Sequence, residues 1–151
     1  MVADAPVGII ALGTQACWDL LRGEEVGRLA VSVDRRPEIF PVNFAVDGRT
    51  IVFRTAEGTK FGSLFVEDHV AFEADGYDAA TSEAWSVVIK GRAREVRMFD
   101  QPDDSTFWLF PWSATPKSRF VRITPERVSG RRFRVVRHRP PTNGSDPRRD
   151  T

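Results

Sequence analysis

The chain has 151 residues, of which 41% are hydrophobic and 28% charged, and a formal net charge of +1. Those are the proportions of a globular protein of one-domain size, long enough to bury a core without staples. They exclude a disulfide framework, since Cys17 is the single cysteine, and they argue against a membrane span and a dedicated polyanion binder.

The first apolar stretch, Val7–Leu12, lacks the basic flank of an export signal, and the lone thiol suits a reducing compartment, so a cytoplasmic location is expected. Thr14 is placed to cap a helix over Gln15–Arg22 that Gly23 stops. Cys17 within it reads as a small apolar residue. The period then changes to alternation. Gly27–Val33, Glu38–Val46 and Thr50–Thr55 predict three antiparallel strands, turned by Asp34-Arg-Arg-Pro37 and by Asp47-Gly48.

Ala56-Glu-Gly58 breaks the third strand, and Thr59 can cap a short helix, Lys60–Val66, with Phe61, Leu64 and Phe65 on one face. His69–Asp75 predicts a fourth strand, Gly76–Glu83 a polar loop, and Ala84–Val96 a long fifth strand in which Gly91 signals a bulge or tight bend. An aromatic-rich helix is expected over 100–110, then a last strand pair, Ser118–Thr124 and Val128–Val136. Residues 1–139 read as one domain, and 140–151, without apolar residues, as a disordered tail.

Six or seven strands with a few helices and no βαβ alternation predict a mainly β, closed antiparallel barrel. A barrel that small is filled by its own side chains, so a large ligand must lie in an outer groove. A second subunit would complete such a groove, and Trp85, Trp108, Trp112 and Phe120 are aromatics to spare for a homodimer interface.

The stretch Phe53-Arg-Thr-Ala-Glu-Gly-Thr-Lys60 carries the clearest chemistry. A strand ends on Arg54-Thr55, a glycine loop follows, and a helix opens at Thr59-Lys60. Unpaired N–H groups at a helix start, joined by a guanidinium, an ammonium and two hydroxyls, suit a phosphate. The alternative is a plain helix cap with solvated cations. Pro41-Val-Asn-Phe44 places a proline as at a strand edge, which leaves backbone groups and the Asn43 amide for a polar heterocycle or for a turn. Residues 119 to 139 hold eight arginines against one acid, Glu126. They read as the outward face of a strand pair or a pocket for a small anion. Aromatics do not interleave with them as a nucleic-acid stacking platform requires.

In order and spacing, Gly27-Arg-Leu-Ala-Val-Ser-Val, Pro41-Val-Asn-Phe, Asp47-Gly and Phe53-Arg-Thr-Ala-Glu-Gly-Thr-Lys resemble the front half of the flavin-binding split barrels. Trp85-Ser-Val-Val-Ile-Lys-Gly-Arg-Ala, Pro111-Trp112, Phe120-Val-Arg-Ile-Thr-Pro and Ser129-Gly-Arg-Arg-Phe133 are similar to the back half of one branch. That branch comprises the short pyridoxamine 5'-phosphate oxidase-like proteins of actinobacteria and their nitroimidazole-resistance relatives. The resemblance spans residues 10 to 135.

It implies a six- to seven-stranded split β-barrel with FMN in a groove between two subunits. It implies Arg54, Thr55, Thr59 and Lys60 on the phosphate and Pro41, Val42 and Asn43 along the isoalloxazine edge. Trp85 and Ser86 would flank the ring, with Trp112 and a C-terminal arginine from the partner subunit. The end of the chain departs from the vitamin B6 oxidases: Val135-Val-Arg-His-Arg-Pro-Pro runs on where they carry an arginine and histidine set and a fixed terminus. That argues against true pyridoxamine phosphate oxidase activity, with His138 a bystander.

The expected function is an FMN-dependent oxidoreductase acting on a small planar substrate. Alternatives are a deazaflavin-dependent reductase, whose acidic tail would use the basic strands, and a non-enzymatic flavin- or haem-binding dimeric module. Neither His69 nor His138 stands in a recognisable catalytic pair, no Cys/His spacing suggests a metal, and no nucleophile elbow suggests a hydrolase.

Overall fold

The computed structural model describes residues 8–55, 67–96 and 119–136, with backbone only at Thr55 and Arg119. The expected helices Lys60–Val66 and 100–110 and the tail 140–151 lie outside these. In chain order the elements are β1 (Ile9–Leu12), α1 (Thr14–Arg22), β2 (Val26–Val33), β3 (Arg36–Asp47), β4 (Thr50–Thr55), β5 (His69–Asp78), β6 (Glu83–Glu95) and β7 (Arg119–Arg134). Every pairing is antiparallel. The order β1-β7-β4-β3-β2-β5-β6, with β7 also paired to β6, closes six strands into a ring and adds β1 beside the far half of β7. This is the expected mainly β barrel.

Alternation drives the closure. Along β2, β5 and β6 every second residue faces inward, so Leu29, Phe72, Ile89 and Val87 are fully buried with Phe53, Ile51 and Ile123 from β4 and β7. Phe44 and Phe72 meet edge to face, with ring centroids 4.8 Å apart. Each such side chain contributes about 1.5–3 kcal/mol through burial. Helix α1 sends Cys17, Trp18 and Leu21 into the same core. The interior is therefore filled.

Several boundaries differ from the sequence expectation. The last strand pair is one continuous strand, β7, because β6 runs beside its whole length and supplies partners to both halves. Pro125-Glu126-Arg127, the break expected between the two strands, instead holds a bulge. Lys90 pairs Arg127 and Gly91 pairs Pro125, so Glu126 is the extra residue. Gly91 lies at this bulge, as expected. A Cβ there would overlap the Thr124 carbonyl oxygen.

The polar loop Gly76–Glu83 shrinks, since β5 runs to Asp78 and β6 starts at Glu83. Part of the N-terminal apolar stretch pairs with β7 as β1. Thr14 is the first helical residue, and Gly13 takes the cap position without a side-chain bond. The β3–β4 turn sits one residue later than expected, at Gly48-Arg49, with Asp47 paired to Thr50. Among the described residues no helix is long and apolar enough to cross a membrane.

Candidate functional site

The barrel wall parts between β3 and β4. β3 pairs β4 only through Phe44–Asp47, while its earlier residues, Arg36 to Asn43, pair only with β2. β4 runs on past the last shared pair, Phe44↔Phe53, to Arg54 and Thr55, which pair with Phe120 and Arg119 of β7. Asn43 and Arg54 are thus the first residues on either side of the cleft. Pro37 and Pro41 both lie in the stretch of β3 that β4 does not cover. A residue without an N–H is tolerated where no strand needs one. Pro41 and Asn43 are exposed, Val42 is buried and faces the core, and Arg54 is half-buried. Thr59, Lys60 and Trp112 lie outside the described residues, as does the side chain of Thr55.

A second feature lies on the outer face of β5, β6 and β7. An open groove of about 650 Å³ has an apolar end formed by Ile9, Tyr77, Ala84 and Phe133. Its polar end carries Glu73, Ser86 and Arg131. Ser86 Oγ donates to Glu73 Oε1 at 3.3 Å. Trp85 reaches the groove from the inner side. It packs partly against the core and over Gly76, where a Cβ would overlap the indole nitrogen.

Arg28 ties the two features together, and sequence reasoning missed it. Its Cα partners are Pro41 on β3 and Glu73 on β5. Its Nε donates to Glu73 Oε2 and an Nη to Asp75 Oδ1, each at 2.7 Å. The hydrogen bond that Arg28 donates to Glu73 raises the guanidinium pKa above its ordinary value, against a smaller opposing effect of burial. Alternation along β2 already placed Arg28 outward. Its partners, 45 and 47 residues away, follow only from the β2–β5 pairing.

Three strand spacings separate Asn43 on β3 from Ser86 on β6, about 14 Å around the wall, and Arg54 and Ser86 pair with residues of β7, Phe120 and Arg131, that lie about 35 Å apart along that strand. The wall is convex, so a flat rigid molecule lying on Pro41 and Asn43 turns away from Ser86 of the same subunit. The structure therefore groups Pro41, Asn43 and Arg54, groups Trp85 and Ser86 with Arg131, and keeps the groups apart within one chain.

His69 meets carboxylates after all: Nδ1 is 3.3 Å from Glu67 and Nε2 is 3.6 Å from Glu126. All three side chains are more than half exposed, as solvated surface pairs are. Cys17 is fully buried, and loss of hydration raises its thiol above its ordinary value, consistent with a packing role.

The family of pyridoxamine 5'-phosphate oxidases matches residues 13–132. A Mycobacterium tuberculosis protein, Rv0080, is 34% identical over 132 residues, covering 83% of this chain and 86% of its own. Among solved structures, the FAD binding protein from Mycobacterium smegmatis is 40% identical, with a TM-score of 0.65 over 83% of this chain and 99% of its own. A FAD-binding protein from Mesorhizobium loti, 24% identical, shares the fold with a TM-score of 0.70 over 82% of this chain and 97% of its own.

Proposed function

The chain belongs to the pyridoxamine 5'-phosphate oxidase family of flavin-binding split barrels, and from that premise we propose that it is a homodimeric flavin-dependent oxidoreductase whose two cofactor sites each draw on both subunits. The observation that carries this reading is the parting of β3 from β4. Among the described residues it leaves the Pro41-Val42-Asn43 stretch without a strand partner on the β4 side, with Arg54 at its head.

These residues fit a flavin. Arg54 and Lys60, with the Thr55 and Thr59 hydroxyls, hold the phosphate by charge-assisted hydrogen bonds. Backbone groups of β3 that point away from β2 hydrogen-bond the polar edge of the ring, and the Asn43 amide adds a further donor and acceptor. Because the wall is convex, Ser86, Trp85 and Arg131 reach the same ring from the partner subunit and exclude water from its other flank. Trp112 contributes from the partner as well.

When bound, a flavin supplies two-electron hydride chemistry, and the protein supplies binding, orientation and polarity. A small planar substrate stacks on the ring face left open, and no protein acid or base is required. The cofactor is carried as FMN or as FAD. FAD is supported by the name of the 40% identical Mycobacterium smegmatis structure.

Spectral titration of the purified protein tests this. FMN or FAD should saturate at one per subunit, and an Arg54→Ala/Lys60→Ala double variant should bind at least about tenfold more weakly, as expected when charged hydrogen bonds are lost. Binding of a deazaflavin alone would move the activity to a deazaflavin-dependent reductase. Binding of none would leave a dimeric module without redox chemistry.

A further inference from the structure

The arginine-rich C-terminal stretch is used only in part by that reading. On the outward face of the β6–β7 ladder, Lys90 stands directly opposite Arg127, and Arg94 directly opposite Arg122. Arg131 stands opposite Ser86. Like charges placed directly across a ladder destabilise a sheet. Among the described residues only part of this charge is met. Arg122 binds Asp47 at 2.8 Å, and Arg92 lies 3.7 Å from Asp68 and 3.8 Å from Glu126. Lys90, Arg94 and Arg127 are exposed and form no ion pair among the described residues.

These three cations fall on two levels of β6, at positions 90 and 94. The levels are about 13 Å apart. On their other sides β6 is paired as far as Arg92 and β7 as far as Ile123, and the outward side chains carry the charge. No aromatic side chain lies on the ladder between the levels. A nucleic-acid strand would find no stacking surface. An extended polypeptide fits better. Its same-face side chains recur about every 6.8 Å, so every second one meets a level.

We propose that the outward face of β6–β7 at positions 90 to 94 of β6 is a docking strip for an extended, carboxylate-rich segment of a partner protein, gripped by Lys90 with Arg127 and by Arg94. The like-charge pairs persist because the partner's carboxylates, absent from the free chain, neutralise them.

Fluorescence anisotropy on the full chain tests this, with a labelled peptide of about ten extended residues carrying glutamate at every second position. Saturable binding is expected, weakened by salt and at least about tenfold weaker in a Lys90→Glu/Arg127→Glu variant. Arg127→Glu alone should weaken the peptide while raising Tm by about 1–4 °C, because it turns a repelling pair into an ion pair. Peptide binding that is absent or indifferent to the reversals would overturn the proposal. So would a lower Tm for Arg127→Glu, or tighter binding of a single-stranded oligonucleotide than of the peptide.

Discussion

Along β6, Val87, Ile89, Gly91 and Ala93 point into the barrel and are buried, while Ser86, Lys90, Arg92 and Arg94 alternate with them and face out. The inward set is held by close contact. The outward set is spaced by the ladder and holds the polar chemistry. β3 repeats the division, with Val42 and Phe44 inside and Pro41 and Asn43 outside. One strand thus serves as core on one side and as candidate site on the other. The inner face tolerates almost no change in volume, whereas the outer face can vary its charges at little cost to folding. This division accounts for architecture shared with a protein only 24% identical.

The division can be broken most sharply from inside. Phe72→Ala empties a fully buried site that packs on Phe44 and should cost about 3–5 kcal/mol in denaturant unfolding. Gly91→Ala drives a methyl toward the Thr124 carbonyl and should cost about 1–3 kcal/mol. Changes on the outer face should cost less. Arg28→Ala breaks two partly exposed ion pairs at the centre of the wall, for about 1 kcal/mol in the same assay. A loss as large as that of Phe72→Ala would erase the distinction between the faces.

The smallest effect concerns pH. Burial raises Cys17 above its ordinary value of 9.0, so the neutral thiol is favoured in the folded state. Its contribution to stability is full below about pH 9 and is lost as pH rises through the raised folded value. Cys17→Ala should flatten the alkaline slope of Tm against pH. An unchanged slope would assign it to other groups.

The same two faces explain what is legible in the residues. Alternation in Gly27–Val33 is enough to mark the inner face of β2, and the lone glycine at 91 marks the bulge. The Pro41-Val42-Asn43 edge and Arg54 are visible as a proline where no donor is needed and a cation at a strand end. What is not legible depends on pairing between distant residues. Whether Pro125-Glu126-Arg127 breaks the strand or bulges is decided by β6, more than thirty residues earlier. Arg28 looks like any outward arginine until β5 brings Glu73 and Asp75 beside it. The separation of Ser86 from Arg54 on one convex wall likewise requires the closed strand order.

The central claim is that each flavin site takes Arg54 from one subunit and Ser86 from the other, and subunit mixing tests it most directly. Arg54→Glu and Ser86→Trp variants, each confirmed to melt as a folded dimer and each unable to bind flavin alone, are dissociated, mixed and reassociated. A mixed dimer then contains one site carrying both substitutions and one carrying neither. The account predicts that flavin binding returns, at one cofactor per mixed dimer. No recovery on mixing would place both residues in the same subunit's site and contradict it.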